Sequence, residues 1–203
     1  MKVGVLALQG AVREHLKALA RCGVEGHGVR TAEEVAACDA LIVPGGESTT
    51  IGKLMDRYGL SEAIKHLAAS GRPLLGTCAG MILLAKKIES GIEGQPRLDL
   101  MDIAVERNAF GRQVDSFEAD LEFKGVNGGP VRAVFICAPI VKAVGKDVEV
   151  LATHGQRVVA ARQDNLLALS FHPELTDDPR IHQYFLSTAL RPGRVRPGAA
   201  GLS

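Results

Sequence analysis

Three short segments hold residue types that could do chemistry together: Gly76–Gly80 (GTCAG), His172–Glu174 (HPE) and Pro44–Ser48 (PGGES). The first sets Cys78 among small residues where one apolar run, Pro73–Leu75, must turn into another, Met81–Leu84. Its G-x-nucleophile-x-G form is that of a nucleophile elbow with cysteine in place of serine. Glycines suit such a corner, because the backbone is strained at the nucleophile and neighbouring chain approaches closely. A helix starting at Ala79 would aim free N–H groups and partial positive charge at the sulfur, a setting that favours thiolate, and the Ala79 N–H could serve an oxyanion. His172 follows the apolar run Leu166–Phe171 and would stand beyond a strand end, as Cys78 would. Pro173 fixes the backbone there, and Glu174 can turn back to hold the second ring nitrogen. Thiolate, base and orienting carboxylate are the parts that thiol-based acyl transfer needs. PGGES lacks the lysine of a phosphate-binding loop. Its backbone N–H groups would instead supply an oxyanion hole, with Glu47 and Ser48 placed to touch a polar substrate.

Each segment also has a plainer reading. A cysteine between apolar elements is usually core filler, a lone histidine is usually a surface residue, and Pro-Gly-Gly is an ordinary strand-ending loop. The combination is what favours catalysis.

The elements that must position these residues follow from the hydrophobic pattern. Lys2–Leu8, Val24–Arg30, Ala40–Val43 and Pro73–Leu75 read as strands, and Ala11–Arg21 and Leu60–Ala69 as amphipathic helices. Ser48 or Thr49 is expected to cap a helix after PGGES. Strands alternating with helices predict a parallel sheet covered on both faces. The second half is strand-rich: Ile103–Glu106, Phe117–Glu122, Val131–Ala138, Val148–Ala152, Arg157–Arg162 and Leu166–Phe171 are expected to extend the sheet with antiparallel members and hairpins. A last helix is predicted over Pro179–Leu190. The expected fold class is therefore α/β, a single three-layer domain over residues 1–190 with an open, mostly parallel sheet and some antiparallel strands. The Pro-, Gly- and Arg-rich stretch 191–203 reads as a disordered tail. In such sheets ligands bind beyond the carboxyl ends of the strands, where Gln9-Gly10, PGGES and GTCAG all lie.

Bulk properties narrow the class. The chain has 203 residues, 46% hydrophobic and 23% charged, and a net charge of +1. No global field points to nucleic acid or an anionic membrane, and no apolar run approaches a membrane span. The N-terminal run contains Gln9 and reads as a strand rather than a signal peptide. Cys22, Cys38, Cys78 and Cys137 are scattered without metal-ligand spacing, which suits free thiols in the cytoplasm and predicts no metal site. His15, His27, His66, His154 and His182 show no ligand spacing and receive no role.

PGGES, GTCAG and FHPE, in this order and at these separations, resemble the class I glutamine amidotransferases with their Cys–His–Glu triad. Gly4–His15 (GVLALQGAVREH), Pro44–Ile51 (PGGESTTI), Gly76–Ala85 (GTCAGMILLA), Val105–Leu121 (VERNAFGRQVDSFEADL) and Ser170–Thr176 (SFHPELT) narrow the likeness. Together they resemble the glutaminase subunits of two-component pyridoxal 5′-phosphate synthases, from about Val3 to Leu190. The resemblance implies a flavodoxin-like fold and hydrolysis of L-glutamine to L-glutamate and ammonia, with Cys78 as nucleophile, His172 as proton shuttle and Glu174 as its orienting partner. It implies an oxyanion hole from backbone at Gly46 and Ala79, with Gln9 in the loop that organises it when a synthase subunit docks. Gly46, Glu47, Ser48, Arg107, Ile136 and Cys137 would bind glutamine. A guanidinium at Arg107 suits an α-carboxylate; Glu47 or Ser48 could meet the α-amino group. Ammonia would pass to the synthase subunit, so pyridoxal phosphate is the product of the pair and not a cofactor of this chain. The family pattern F-I-R-A-P reads Phe135-Ile136-Cys137-Ala138-Pro139 here, which removes an arginine side chain and leaves the backbone contacts. Another class I glutaminase subunit, such as the one feeding imidazole glycerol phosphate synthesis, would fit the short motifs but not the longer segments. Indifference to a synthase partner would mark a γ-glutamyl hydrolase, and an unreactive Cys78 with tight docking a regulatory subunit without catalysis.

Overall fold

The computed structural model describes residues 1–89, 94–109 and 116–189. The expected tail at 191–203, Leu190 of the last helix and residues 110–115 of the Val105–Leu121 segment lie outside them. The strands are β1 (Val3–Leu6), β2 (Gly26–Val29), β3 (Ala40–Val43), β4 (Leu74–Thr77), β5 (Ala85–Glu89), β6 (Met101–Glu106), β7 (Ser116–Leu121), β8 (Val131–Ile136), β9 (Ile140–Val144), β10 (Glu149–His154), β11 (Arg157–Gln163) and β12 (Leu166–Leu169). The helices are α1 (Val12–Arg21), α2 (Ala32–Ala36), α3 (Ser48–Arg57), α4 (Leu60–Ala69), α5 (Ala79–Leu84) and α6 (Arg180–Ala189).

Among the described residues ten strands form one sheet in the order β2-β1-β3-β4-β12-β11-β9-β6-β5, with β10 paired to β11. The five strands from β2 to β12 run parallel. Antiparallel pairing enters at β11 and continues through β9 to β6.

Residues 40–43 and 74–77 are buried throughout, and their side chains alternate between two cores. Leu41, Val43 and Leu74 join Ile51, Met55, Leu60, Ile64 and Leu83 on one face. Ala40, Ile42 and Leu75 join Leu19, Phe135, Phe171 and Phe185 on the other. A strand covered on both faces has no solvent side, so these runs are continuously apolar instead of alternating. Helices α2 to α5 supply the first cover, and α1, α6 and the β7–β8 pair supply the second.

Three expectations need correction. The Phe117–Glu122 and Val131–Ala138 runs do not extend the main sheet: β7 and β8 form a separate two-stranded antiparallel sheet, packed on the α1/α6 face through Phe117, Phe135 and Leu121. Strands β5 and β9 and the short helix α2 were not read from the pattern, β5 because it continues a helix with only one residue of its five buried. Helix α3 is capped by Glu47, whose carboxylate accepts the Thr50 N–H at 2.7 Å, and not by Ser48 or Thr49.

Candidate active site

The parallel pair β4–β12 brings the two halves of the site together. Thr77 lies opposite Leu169 in register, and the Cys78 N–H donates to the Leu169 carbonyl at 2.8 Å. Both strands therefore end at the same level, with Cys78 one residue beyond β4 and His172 three beyond β12. The His172 N–H donates to the Val134 carbonyl at 2.8 Å, which pins the second loop onto β8.

Cys78 is the N-cap of α5 and takes φ 49°, ψ −103°. A positive φ in a residue with a Cβ is strained, so the strain of the corner falls on Cys78 itself and not on its glycines. Gly76 and Gly80 serve close packing instead: a Cβ on Gly76 would lie 2.6 Å from the Gly80 carbonyl. Gly45 does the same for the triad, since a Cβ there would stand 3.0 Å from His172 Nδ1 and 3.4 Å from Cys78 Cβ.

Pro173–Leu175 forms a single 3-10 turn, and it folds Glu174 back so that Oε1 meets His172 Nδ1 at 2.7 Å. Burial opposes a charge on His172, but hydrogen bonds with Cys78 and Glu174 and their negative charge outweigh it and raise its pKa to about 10. Glu174 is buried as well; burial disfavours its charge, yet His15 and His172 together hold its pKa below the usual carboxylate value. The imidazole is thus poised as an imidazolium between the Cys78 sulfur and the carboxylate.

These groups open on a cleft of about 430 Å³ whose wall includes Gly46, Glu47, Ser48, Cys78, Ala79, Arg107, Ile136, Cys137 and His172. All the residues read from the sequence as touching substrate or oxyanion meet there except Gln9. Its side chain instead accepts the Glu47 N–H at 2.8 Å and so holds the PGGES loop from behind. The same loop is tied a second time, by the Ala11 N–H donating to the Gly45 carbonyl at 3.1 Å. Gly10 is required between them: it sits at φ +101°, and a Cβ there would run into Gly45.

On the wall of the same cleft, Arg107 donates to Glu47 Oε1 at 3.3 Å and to Gln95 Oε1 at 3.0 Å. Gln95 in turn donates to Ser48 Oγ at 3.1 Å. A guanidinium beside a carboxylate complements the zwitterion of an amino acid. Cys137 stands at the rim with φ 43° and is exposed, beside the exposed Ile136. The Ile136 carbonyl accepts from the Cys78 thiol at 3.7 Å. Among the described residues no cluster of three His, Cys, Asp or Glu could hold a metal ion.

Sequence reasoning missed Gln95, Thr77 and His15. Nothing in the local pattern marks Gln95, which lies in an irregular stretch. Thr77 reads only as a small residue of the GTCAG corner, yet its Oγ1 accepts the Gly45 N–H at 3.1 Å. His15 reads as one more polar residue of an amphipathic helix, yet it is fully buried behind the triad.

A strained cysteine on a strand-to-helix corner, paired to a His–Glu dyad from the neighbouring parallel strand, defines a thiol-dependent amidotransferase-type hydrolase on an open α/β sheet. The chain belongs to the SNO glutamine amidotransferase family, whose signature matches residues 5–191. It is 58% identical over 194 residues to the pyridoxal 5′-phosphate synthase subunit PdxT of Pelotomaculum thermopropionicum, covering 96% of this chain and 98% of that one. It is equally similar, 58% over 187 residues, to the subunit of the same name from Geobacillus thermodenitrificans, covering 92% and 94%. A solved glutamine amidotransferase shares the fold with a TM-score of 0.88 at 54% identity, covering 93% of this chain and 99% of that one.

Proposed function

We propose that the chain hydrolyses the side-chain amide of L-glutamine and delivers the ammonia to a synthase subunit that makes pyridoxal 5′-phosphate. The observation that carries this reading is the Cys78–His172–Glu174 array opening on a cleft whose wall also holds an Arg107–Glu47 pair. The names of the PdxT relatives support the pathway and the partner.

Glutamine would lie with its α-carboxylate toward Arg107, its α-ammonium toward Glu47 and its amide at Cys78. The thiolate attacks the amide carbon, and the C–O double bond opens to an oxyanion that takes hydrogen bonds from backbone at Gly46 and Ala79. The imidazolium of His172 gives its proton to the amide nitrogen, and ammonia leaves as the glutamyl thioester forms. Once the sulfur's negative charge is consumed, a main influence favouring the charged ring is gone, and His172 can accept a proton from water. The resulting hydroxide cleaves the thioester to glutamate and restores the thiol.

No cofactor is needed for these steps, and pyridoxal phosphate is the product of the pair. A cytoplasmic setting suits four scattered thiols. The test is glutamate release from glutamine with and without a synthase subunit, for the parent chain and Cys78→Ala. Turnover that rises with the partner and vanishes in the variant is expected; turnover indifferent to the partner would replace this reading with a free-standing hydrolase.

A further inference from the structure

Two buried histidines stand behind the triad carboxylate, and the steps above do not use them. His15 comes from α1 and His182 from α6, and both are inaccessible to solvent. His15 Nδ1 lies 3.1 Å from His182 Nε2. On its other side, His15 Nε2 faces Thr77 Oγ1 at 3.1 Å and Glu174 Oε2 at 3.5 Å. Glu174 Oε2 is buried and makes no closer hydrogen bond among the described residues, and neither does His182 Nδ1.

Donor and acceptor counting decides the protons. With the proton of His15 on Nδ1, its Nε2 lone pair would point at a carboxylate oxygen, and His182 would have to bury an N–H at Nδ1 with nothing to receive it. With the proton on Nε2, His15 donates toward Glu174 and Thr77 and accepts at Nδ1 from His182 Nε2–H. Only a bare acceptor, His182 Nδ1, is then left over. Burial opposes a charge on either ring and lowers both pKa values, that of His182 to about 3, so both stay neutral near pH 7.

We propose that His15 and His182 are positioning residues for the thiol chemistry: His182 fixes the tautomer of His15, and His15 presents its Nε2–H to Glu174 Oε2, leaving Oε1 for His172. Because Thr77 also accepts the Gly45 N–H, the same imidazole ties the carboxylate to the PGGES loop. The proposal rests on the reading that Glu174 orients His172 for glutamine hydrolysis.

The test uses the full chain with His15→Leu, His15→Gln and His182→Leu. Two quantities are read: the pH dependence of Cys78 alkylation by iodoacetamide, followed on the Cys78 peptide by mass spectrometry, and kcat and KM for glutamine with the synthase subunit present. A hydrogen bond to a charged group predicts a ~10- to 100-fold loss of kcat in His15→Leu, with KM nearly unchanged. The same loss should carry the acid limb of alkylation to higher pH, because the imidazolium–thiolate pair has lost part of its support. His15→Gln, which keeps an N–H donor, should recover most of both effects, and His182→Leu should show a smaller loss of the same kind. Equal behaviour of the Leu and Gln variants at position 15, or an alkylation profile in His15→Leu that matches the parent, would overturn the proposal. If His15→Leu fails to fold, His182→Leu decides it: a kcat and an alkylation profile that both match the parent would overturn the proposal. If the parent releases no glutamate, the glutaminase reading fails, while the alkylation profiles still decide the role of His15.

Discussion

Gln9 Oε1 accepts the Glu47 N–H at 2.8 Å across 38 residues of chain, so the loop after β1 holds the loop after β3 from outside the cleft. Gln9→Leu removes that acceptor and loosens Gly46. The worth of one neutral hydrogen bond is about 1 kcal/mol, which predicts a roughly fivefold fall in partner-stimulated kcat. An unchanged kcat would mean that the PGGES loop needs no support from β1.

Gln95 holds Arg107 and Ser48 at once. Gln95→Leu leaves the Ser48 hydroxyl buried without its donor and the Arg107 guanidinium held by Glu47 alone. KM for glutamine should rise about tenfold, the loss expected for a hydrogen bond to a charged group, with kcat changed less. Steady-state kinetics over a glutamine series would check this, and a kcat effect without a KM effect would contradict the assignment.

Gly45→Ala places a methyl between His172 and Cys78. The methyl would run into His172 Cε1, so the ring must move by roughly an ångström, and misplacement on that scale costs on the order of 100-fold in rate. The variant should fold, because the clash is confined to the cleft. Circular dichroism and glutamate release, measured side by side, would separate inactivity from unfolding.

The raised pKa of His172 sets the alkaline limit of activity. The imidazolium should persist until the pH nears 10, so kcat/KM should decline with a midpoint there. Its folded-state pKa exceeds the unfolded 6.5, so its contribution to stability is complete below pH 6.5 and is lost as the pH rises through about 10. A midpoint near 7 would show that the thiolate–imidazolium pair does not form in the free enzyme.

The buried histidines predict the opposite slope in acid. His182 faces His15 from α1 and the Glu174 carboxylate, with Arg21 acting from the end of α1; burial is the largest influence and lowers its pKa to about 3. Stability from keeping it neutral is complete above pH 6.5 and is lost as the pH falls toward 3, and lowered values at His15 and Glu174 act in the same direction. The melting temperature should therefore drop steadily below pH 6.5, and His182→Gln should flatten that drop.

The sequence by itself determined what is local. His172 and Glu174 are two residues apart around a proline, so their contact needs only a 3-10 turn, and it was legible in the sequence. Cys78 was legible because a polar group on a small-residue corner between apolar runs has few structural uses. The continuous apolar runs at Ala40–Val43 and Leu166–Leu169 announced strands buried on both faces. Tertiary structure decided what depends on strand order and helix placement. Setting β12 beside β4 is what joins Cys78 to His172, and no pattern within either segment encodes that adjacency. The β7–β8 pair left the main sheet because its apolar face is buried against Phe171 rather than between two helical layers. His15 and His182 read as polar residues of helices whose faces were known only approximately. Packing α1 and α6 on the same side of the sheet turned both rings inward, where burial and the Glu174 carboxylate made them part of the site.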